Sequence, residues 1–153
     1  MSDPKFTRQT YYVAAQEKLV AAESLLTHGQ YFVAHYVSGI AIESMLRGLS
    51  ANDVFDSGHS IEYWSRRSGL TSGGSQERRD EFVRYLDEAN LRWRANQRYM
   101  TAKMLDTHLE SIKLDRVRGD HVKYSSRRMF DLANFIVGAG VVKWQLKNKS
   151  NKS

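Results

Sequence analysis

The chain of 153 residues has no cysteine, which excludes a disulfide framework and any zinc site built on thiolates. It has one proline, Pro4. Because proline breaks helix interiors, its near-absence leaves the rest of the chain free to form long helices. No apolar run approaches the roughly 20 residues that cross a bilayer, and the N-terminus lacks the charged-then-apolar layout of a secretory signal. These absences predict a soluble protein of the cytoplasm, with no membrane contact. The five histidines include no pair one helical turn apart with a carboxylate partner, so neither a metal site nor a cofactor is expected. Acidic side chains are also in deficit: 17 Asp and Glu face 23 Lys and Arg, for a net charge of +6 and a pI near 9.6. Such a balance favours an anionic partner, nucleic acid first. Part of the excess sits at the C-terminal end, on Lys143, Lys147, Lys149 and Lys152.

What is present is helical periodicity. With 41% apolar residues the chain can bury one core, and we expect one domain over 1–147 followed by a polar, frayed tail at 148–153. Asp3-Pro4 has the form of a helix cap and first turn. The first helix then runs to about Thr27, with Tyr12, Ala15, Leu19, Ala22 and Leu26 as its buried stripe. After a turn at His28-Gly29 comes Tyr31–Leu49. Its broad face of Tyr31, Ala34, Ser38, Ala41, Ile42, Met45 and Leu49 is extended by Tyr36, Val37, Ile40 and Leu46. A helix so apolar should be the centre of the domain. Ala51–Ser60 is rich in turn formers, and Ser60 can cap a short helix that ends at Gly69. The spacing then predicts a two-faced helix over 76–98, a shorter helix and loop over 101–122, and a last helix over 125–147. That last helix should bury Met129, Leu132, Ala133, Ile136, Val137, Gly140 and Trp144. Gly138 and Gly140 each lower helix propensity by about 1 kcal/mol relative to alanine, which a close helix contact should offset. The fold expected is all-α, an up-and-down bundle of four to five helices.

Two groups of charged residues stand out. Glu43 lies on the most apolar helix and should meet Arg47 one turn on, or a basic or phenolic group of another helix. The densest basic region comprises Arg66, Arg67, Arg78, Arg79, Arg84, Arg92, Arg94 and Arg98, interleaved with Tyr63, Trp64, Trp93 and Tyr99. Arginine beside aromatic rings can bind phosphates and stack bases. The same helix carries Asp80, Glu81, Asp87 and Glu88, so the alternative is a solvated face neutralised in i to i+4 pairs. Arg127-Arg128 forms a second, smaller basic patch. His28 has the position of a helix C-terminal cation, His35 that of a packed core or interface residue, and His59 that of a cap or turn residue. The aromatic content fits a self-association interface as well as a core, so a homodimer is expected.

Taken together, YVAAQEKLVAAESLL, then His28-Gly29-Gln30-Tyr31, then AHYVSGIAIESMLRGL resemble the HEPN family of small helical bundles found in toxin–antitoxin, defence and RNA-processing systems. His59, Arg98-Tyr99 and the final-helix segment MFDLANFIV match further parts of the family pattern. The resemblance implies a HEPN-like bundle and, by analogy with nucleotide-binding relatives, a nucleic-acid or nucleotide site using Glu43, Arg47, Arg94, Arg98 and Tyr99. Relatives with ribonuclease activity carry an arginine, four to six residues and a histidine, and pair these across a dimer cleft. Arg116 and His121 have that spacing. Val117 follows the arginine where those relatives have a polar residue, and Gly119 makes the stretch read as a loop. Imidazole changes charge near neutrality, so a histidine here can move a proton during attack by a ribose 2′-hydroxyl, while Arg116 stabilises the phosphorane. The other reading is a basic surface loop. Two functions are therefore expected in competition. One is an RNA-associated defence or toxin–antitoxin protein, either an active metal-independent ribonuclease or one whose nuclease activity is weak or lost. The other is a non-catalytic nucleotide-binding or interaction module whose partner is a nucleotidyltransferase or a larger defence protein.

Overall fold

Five of the six α-helix starts among the described residues coincide with short polar side chains that take the first free amides; the helix after Gln30 has no side-chain cap. The computed structural model describes residues 6–50 and 59–150. The expected cap at Asp3-Pro4 and most of the turn-rich segment 51–60 lie outside those residues. Helix α1 (Arg8–Thr27) opens on Thr7, whose hydroxyl accepts from the Thr10 amide. Its C-terminus reverses at Gly29, which adopts φ 71°. There the Gly29 and Gln30 amides donate back to the Leu26 and Leu25 carbonyls, satisfying groups that a helix end leaves free. Helix α2 (Tyr31–Leu49) follows. Helix α3 (Ile61–Ser68) is capped by Ser60, which accepts from Tyr63 N–H, and stops at Gly69 with φ 73°. Ser75 caps α4 (Gln76–Arg92) in the same way, and Thr101 caps α5 (Ala102–Ile112). Helix α6 (His121–Ser150) is capped by Asp120, whose carboxylate accepts from Lys123 N–H at 2.9 Å.

The described residues thus form six α-helices and one 3-10 helix, Ala95–Tyr99, with no strand. The architecture is all-α as expected. There are more helices than four or five because α3 and α5 are separate elements with their own caps.

The central position expected of α2 is borne out. From Ala41 to Leu49 every one of its residues is buried, and α1 packs along one side of it and α6 along another. Ile42, Met45, Leu46 and Leu49 meet Trp64 of α3, Leu86 and Ala89 of α4, and Met129, Leu132, Ala133 and Ile136 of α6 in one core. At each of two glycines a helix approaches a bulky side chain closely. A Cβ on Gly39 would fall 2.1 Å from the Trp93 ring, and one on Gly140 2.3 Å from Met45 Cγ. The close approach expected near the glycines of α6 is therefore real at Gly140 and absent at Gly138, which faces open space. A second, smaller cluster, Leu105, Leu109 and Val122 with Tyr31, Phe32 and Ile112 around it, fastens α5 to the starts of α2 and α6.

Two boundaries depart from the pattern. Helix α4 ends at Arg92, not near Arg98, because Trp93 leaves the helix in an extended conformation and turns inward. Its Nε1–H donates to the Tyr36 carbonyl at 3.1 Å and its ring stacks on Tyr36. Gln97 replaces the missing helical partner by donating Nε2–H to the Arg92 carbonyl at 2.7 Å. Helix α6 starts four residues earlier than expected and runs through Ser150, so the first residues of the expected frayed tail are helical.

Candidate functional site

The loop between α5 and α6 carries Arg116 and His121, and its course is set by two aspartates. It leaves α5 at Lys113 in the left-handed conformation, φ 54°, uncommon for a residue with a side chain. Asp115 then turns inward and Asp120 caps α6. Between these two tethers Arg116 and Arg118 are exposed. His121 is not in the loop, as the sequence pattern suggests, but is the first residue of α6. It is half-buried, and its Nδ1 is buried without a hydrogen-bond partner. No hydrogen bond or ion pair joins Arg116 to His121 among the described residues.

The Asp115 tether belongs to a buried polar network that periodicity does not reveal. Arg92, last residue of α4, grips Asp115 with both guanidinium nitrogens, Nη1 to Oδ2 at 2.8 Å and Nη2 to Oδ1 at 2.6 Å. The two side chains are 3% and 2% exposed. Nη1 also reaches Ser125 Oγ at 3.1 Å, and Nε reaches Glu88 Oε2 at 3.0 Å. Glu88 in turn accepts from Arg128 Nε and Nη2 at 2.6 and 2.9 Å. Burial pushes the Glu88 carboxyl up, but hydrogen bonds and charge from Arg128 and Arg92 outweigh it and hold the pKa below the usual value. The network therefore ties α4, the α5–α6 loop and α6 together at one point. Glu88, expected on the solvent face, is a shared acceptor for two arginines.

Ser125 continues the network to His35 of α2, whose Nε2 lies 3.1 Å from Ser125 Oγ. A hydroxyl that accepts from Arg92 has its own proton to give, so complementarity places the His35 ring proton on Nδ1. Gln97 favours the protonated ring, yet neither His35 Nδ1 nor Gln97 Oε1 makes a hydrogen bond of normal geometry. Burial first, then the charges of Arg92 and His108, drive the His35 pKa down to about 3, so this histidine is neutral at physiological pH. It is a core residue, one of the two roles the sequence leaves open.

Glu43 and Arg47 form a different cluster, on the C-terminal half of α2. Glu43 Oε1 accepts from Arg47 Nη2 at 3.1 Å, the one-turn pair expected, and also faces His59 Nδ1 at 3.0 Å. Arg47 lies over the Trp64 ring at 4.4 Å and the Tyr11 ring at 5.3 Å. Both charged side chains are 6% exposed, whereas that of His59 is 53% exposed. Arg94, Arg98 and Tyr99 are elsewhere, around the 3-10 helix. Arg94 donates to the Asn90 carbonyl. Arg98 lies over Tyr99 at 4.8 Å, and the Tyr36 hydroxyl, then Tyr99, raises its pKa. The five binding candidates are thus divided between two places, Glu43 and Arg47 on the C-terminal half of α2 and Arg94, Arg98 and Tyr99 around the 3-10 helix.

The arginine-rich α3–α4 region is self-neutralised in part. Arg66 pairs with Glu62, Arg78 with Glu81, and Arg92 with Glu88 and Asp115, while Arg79 bonds to Gln76 and a carbonyl. Among the described residues no three His, Asp or Glu side chains are grouped as metal ligands would be, and no helix is long and apolar enough to cross a membrane. Comparison with protein-family models, with curated proteins and with solved structures finds no match to this chain.

Proposed function

We propose that the protein is a HEPN-like, RNA-associated protein of a toxin–antitoxin or defence system that cleaves RNA without a metal ion, using Arg116 and His121. The observation that carries this reading is the setting of His121. An imidazole with an unpartnered nitrogen opens a long helix, next to a loop whose arginines make no ion pair and whose backbone is pinned through Asp115 to a buried guanidinium. In the reaction proposed, a ribose 2′-hydroxyl attacks the adjacent phosphorus, the O2′–P bond forms and the P–O5′ bond breaks. His121 takes the hydroxyl proton and a proton from solvent completes the 5′-hydroxyl, while Arg116 balances the charge gathered on the phosphorane. The products are a 2′,3′-cyclic phosphate and a 5′-hydroxyl. On this reading the protein acts as a homodimer, with a second copy completing the cleft.

Arg116→Ala and His121→Ala should each abolish cleavage of a mixed RNA pool with the helical circular dichroism spectrum unchanged. Cleavage preserved in both variants rejects this site. The exposed Arg98 and Tyr99, on another part of the surface, favour the second reading, a non-catalytic nucleotide-binding module with a nucleotidyltransferase-type partner. In that case Arg94→Glu or Arg98→Glu weakens ligand or partner binding.

A further inference from the structure

Cations that lack an acidic partner are not confined to the stretch densest in arginine. On α3 and α4, Arg66, Arg78 and Arg92 have acidic partners, whereas Arg67, Arg79 and Arg84 have none among the described residues. At the α5–α6 end, by contrast, Lys113, Arg116, Arg118, Lys123 and Arg127 have no ion pair and no side-chain hydrogen bond among the described residues. The carboxylates nearest in sequence do little to offset them, since Asp115 is committed to Arg92 and Asp120 to the Lys123 amide, leaving Asp106 and the exposed Glu110.

Two of these cations converge. Lys123 and Arg127 stand one turn apart on α6, a spacing at which like charges repel, and both lean over the same ring. Lys123 Nζ is 5.5 Å and Arg127 Cζ 5.9 Å from the centroid of Tyr31. The ring offsets part of the repulsion by cation–π attraction, and an anion between the two cations would remove the rest. Next to Tyr31 opens a cleft of about 540 Å³, bounded by Gln30 to Phe32, by Lys103 and Asp106 of α5, and by Asp120 and Val122 at the start of α6; His121 does not line it.

We infer that this end of the bundle is the docking track for a single RNA strand. Lys123 and Arg127, held on Tyr31, would take backbone phosphates, and the cleft at the start of α6 would receive a nucleotide. The inference rests on the ribonuclease reading and adds where the strand lies. Single-stranded RNA fits better than an acidic protein segment, because aromatic and cationic groups here adjoin an open cleft able to hold a base. Asp106 in its wall can accept from a base amino group or a 2′-hydroxyl.

The test is fluorescence anisotropy with a short 2′-O-methyl RNA, which cannot be cleaved through its 2′ position, titrated across a range of salt. The double variant Lys123→Glu/Arg127→Glu should weaken binding by about tenfold or more. The slope of log K against log salt should fall by about 1.4, at ~0.7 for each phosphate of a single strand that is no longer neutralised. The control Arg66→Glu/Arg79→Glu makes the same change in charge on α3 and α4 and should stay within about twofold of wild type. Circular dichroism establishes that both variants are folded. Equal weakening by the two doubles, or weakening confined to the control, overturns the track while leaving RNA binding intact. Equally tight binding of polyglutamate in place of RNA overturns the choice of ligand, and no RNA binding by the wild-type protein overturns both this inference and the reading beneath it.

Discussion

Asp115→Ala should be among the most damaging single changes outside the apolar core, and the structure sets its size. Asp115 and Arg92 are almost fully withdrawn from solvent and joined by two short hydrogen bonds. Removing one partner of a buried pair costs about 3–5 kcal/mol, because the other charge is left buried without compensation. Arg92 would keep Glu88 and Ser125, so the lower end, about 3 kcal/mol, is expected. For a chain of this size that corresponds to roughly 6–12 °C in Tm, at about 2–4 °C per kcal/mol. Thermal and urea denaturation followed by circular dichroism measure it. Limited trypsin digestion adds a local readout, since Arg116 and Arg118 lie just beyond the tether and should be cut faster. Glu62→Ala is the contrasting variant, because its pair with Arg66 is solvent-exposed and should contribute no more than about 1 kcal/mol. The double variant Arg92→Met/Asp115→Leu should regain most of the stability that Asp115→Ala removes. A loss below about 1 kcal/mol for Asp115→Ala, with unchanged trypsin sensitivity, would refute the reasoning that this pair organises the loop.

Two further expectations concern the core. His35 is held neutral with a pKa near 3, against about 6.5 in an unfolded chain, so between those values the unfolded state binds the extra proton. This contribution to stability is complete above pH 6.5 and falls as the pH drops, by about 2 kcal/mol at pH 5; His35→Gln should flatten that part of the stability profile, and an unchanged slope would count against it. On α6, Gly138→Ala should stabilise by about 0.5–1 kcal/mol because the site is open and alanine favours helix. Gly140→Ala should destabilise despite the same propensity gain, since its methyl meets Met45; stabilisation by both in urea denaturation would show that Met45 yields freely.

The elements legible in the sequence are those whose signals are local. The apolar spacing of Tyr31–Leu49 locates the central helix, Ser60 and Gly69 bracket α3, and the one-turn spacing of Glu43 and Arg47 announces their pair. The failures involve residues whose partners are distant in sequence. Arg92 reads as a surface arginine because Asp115, which allows its burial, lies 23 positions away. Trp93 fits the apolar stripe of α4 whether or not the helix continues, so its inward turn leaves no trace in periodicity. His59 reads as a turn residue, and nothing local connects it to Glu43 across 16 positions. The start of α6 does carry a signal, an aspartate just before an apolar-periodic run, but Gly119 beside it makes the same stretch resemble a loop. Arg116 and His121 are marked by their spacing, whereas the Tyr31, Lys123 and Arg127 grouping needs α2 and α6 to be brought together.

In the proposed reaction, Arg116 and His121 cleave RNA by acid–base chemistry without a metal ion. The most direct measurement is end-group analysis of RNA incubated at low salt with excess chelator, for the wild-type protein and for His121→Ala in parallel. The proposed reaction leaves fragments ending in 2′,3′-cyclic phosphate and starting with 5′-hydroxyl, formed by the wild-type protein and absent with the variant. Intact RNA in both, or fragments with other ends that persist in His121→Ala, would contradict it.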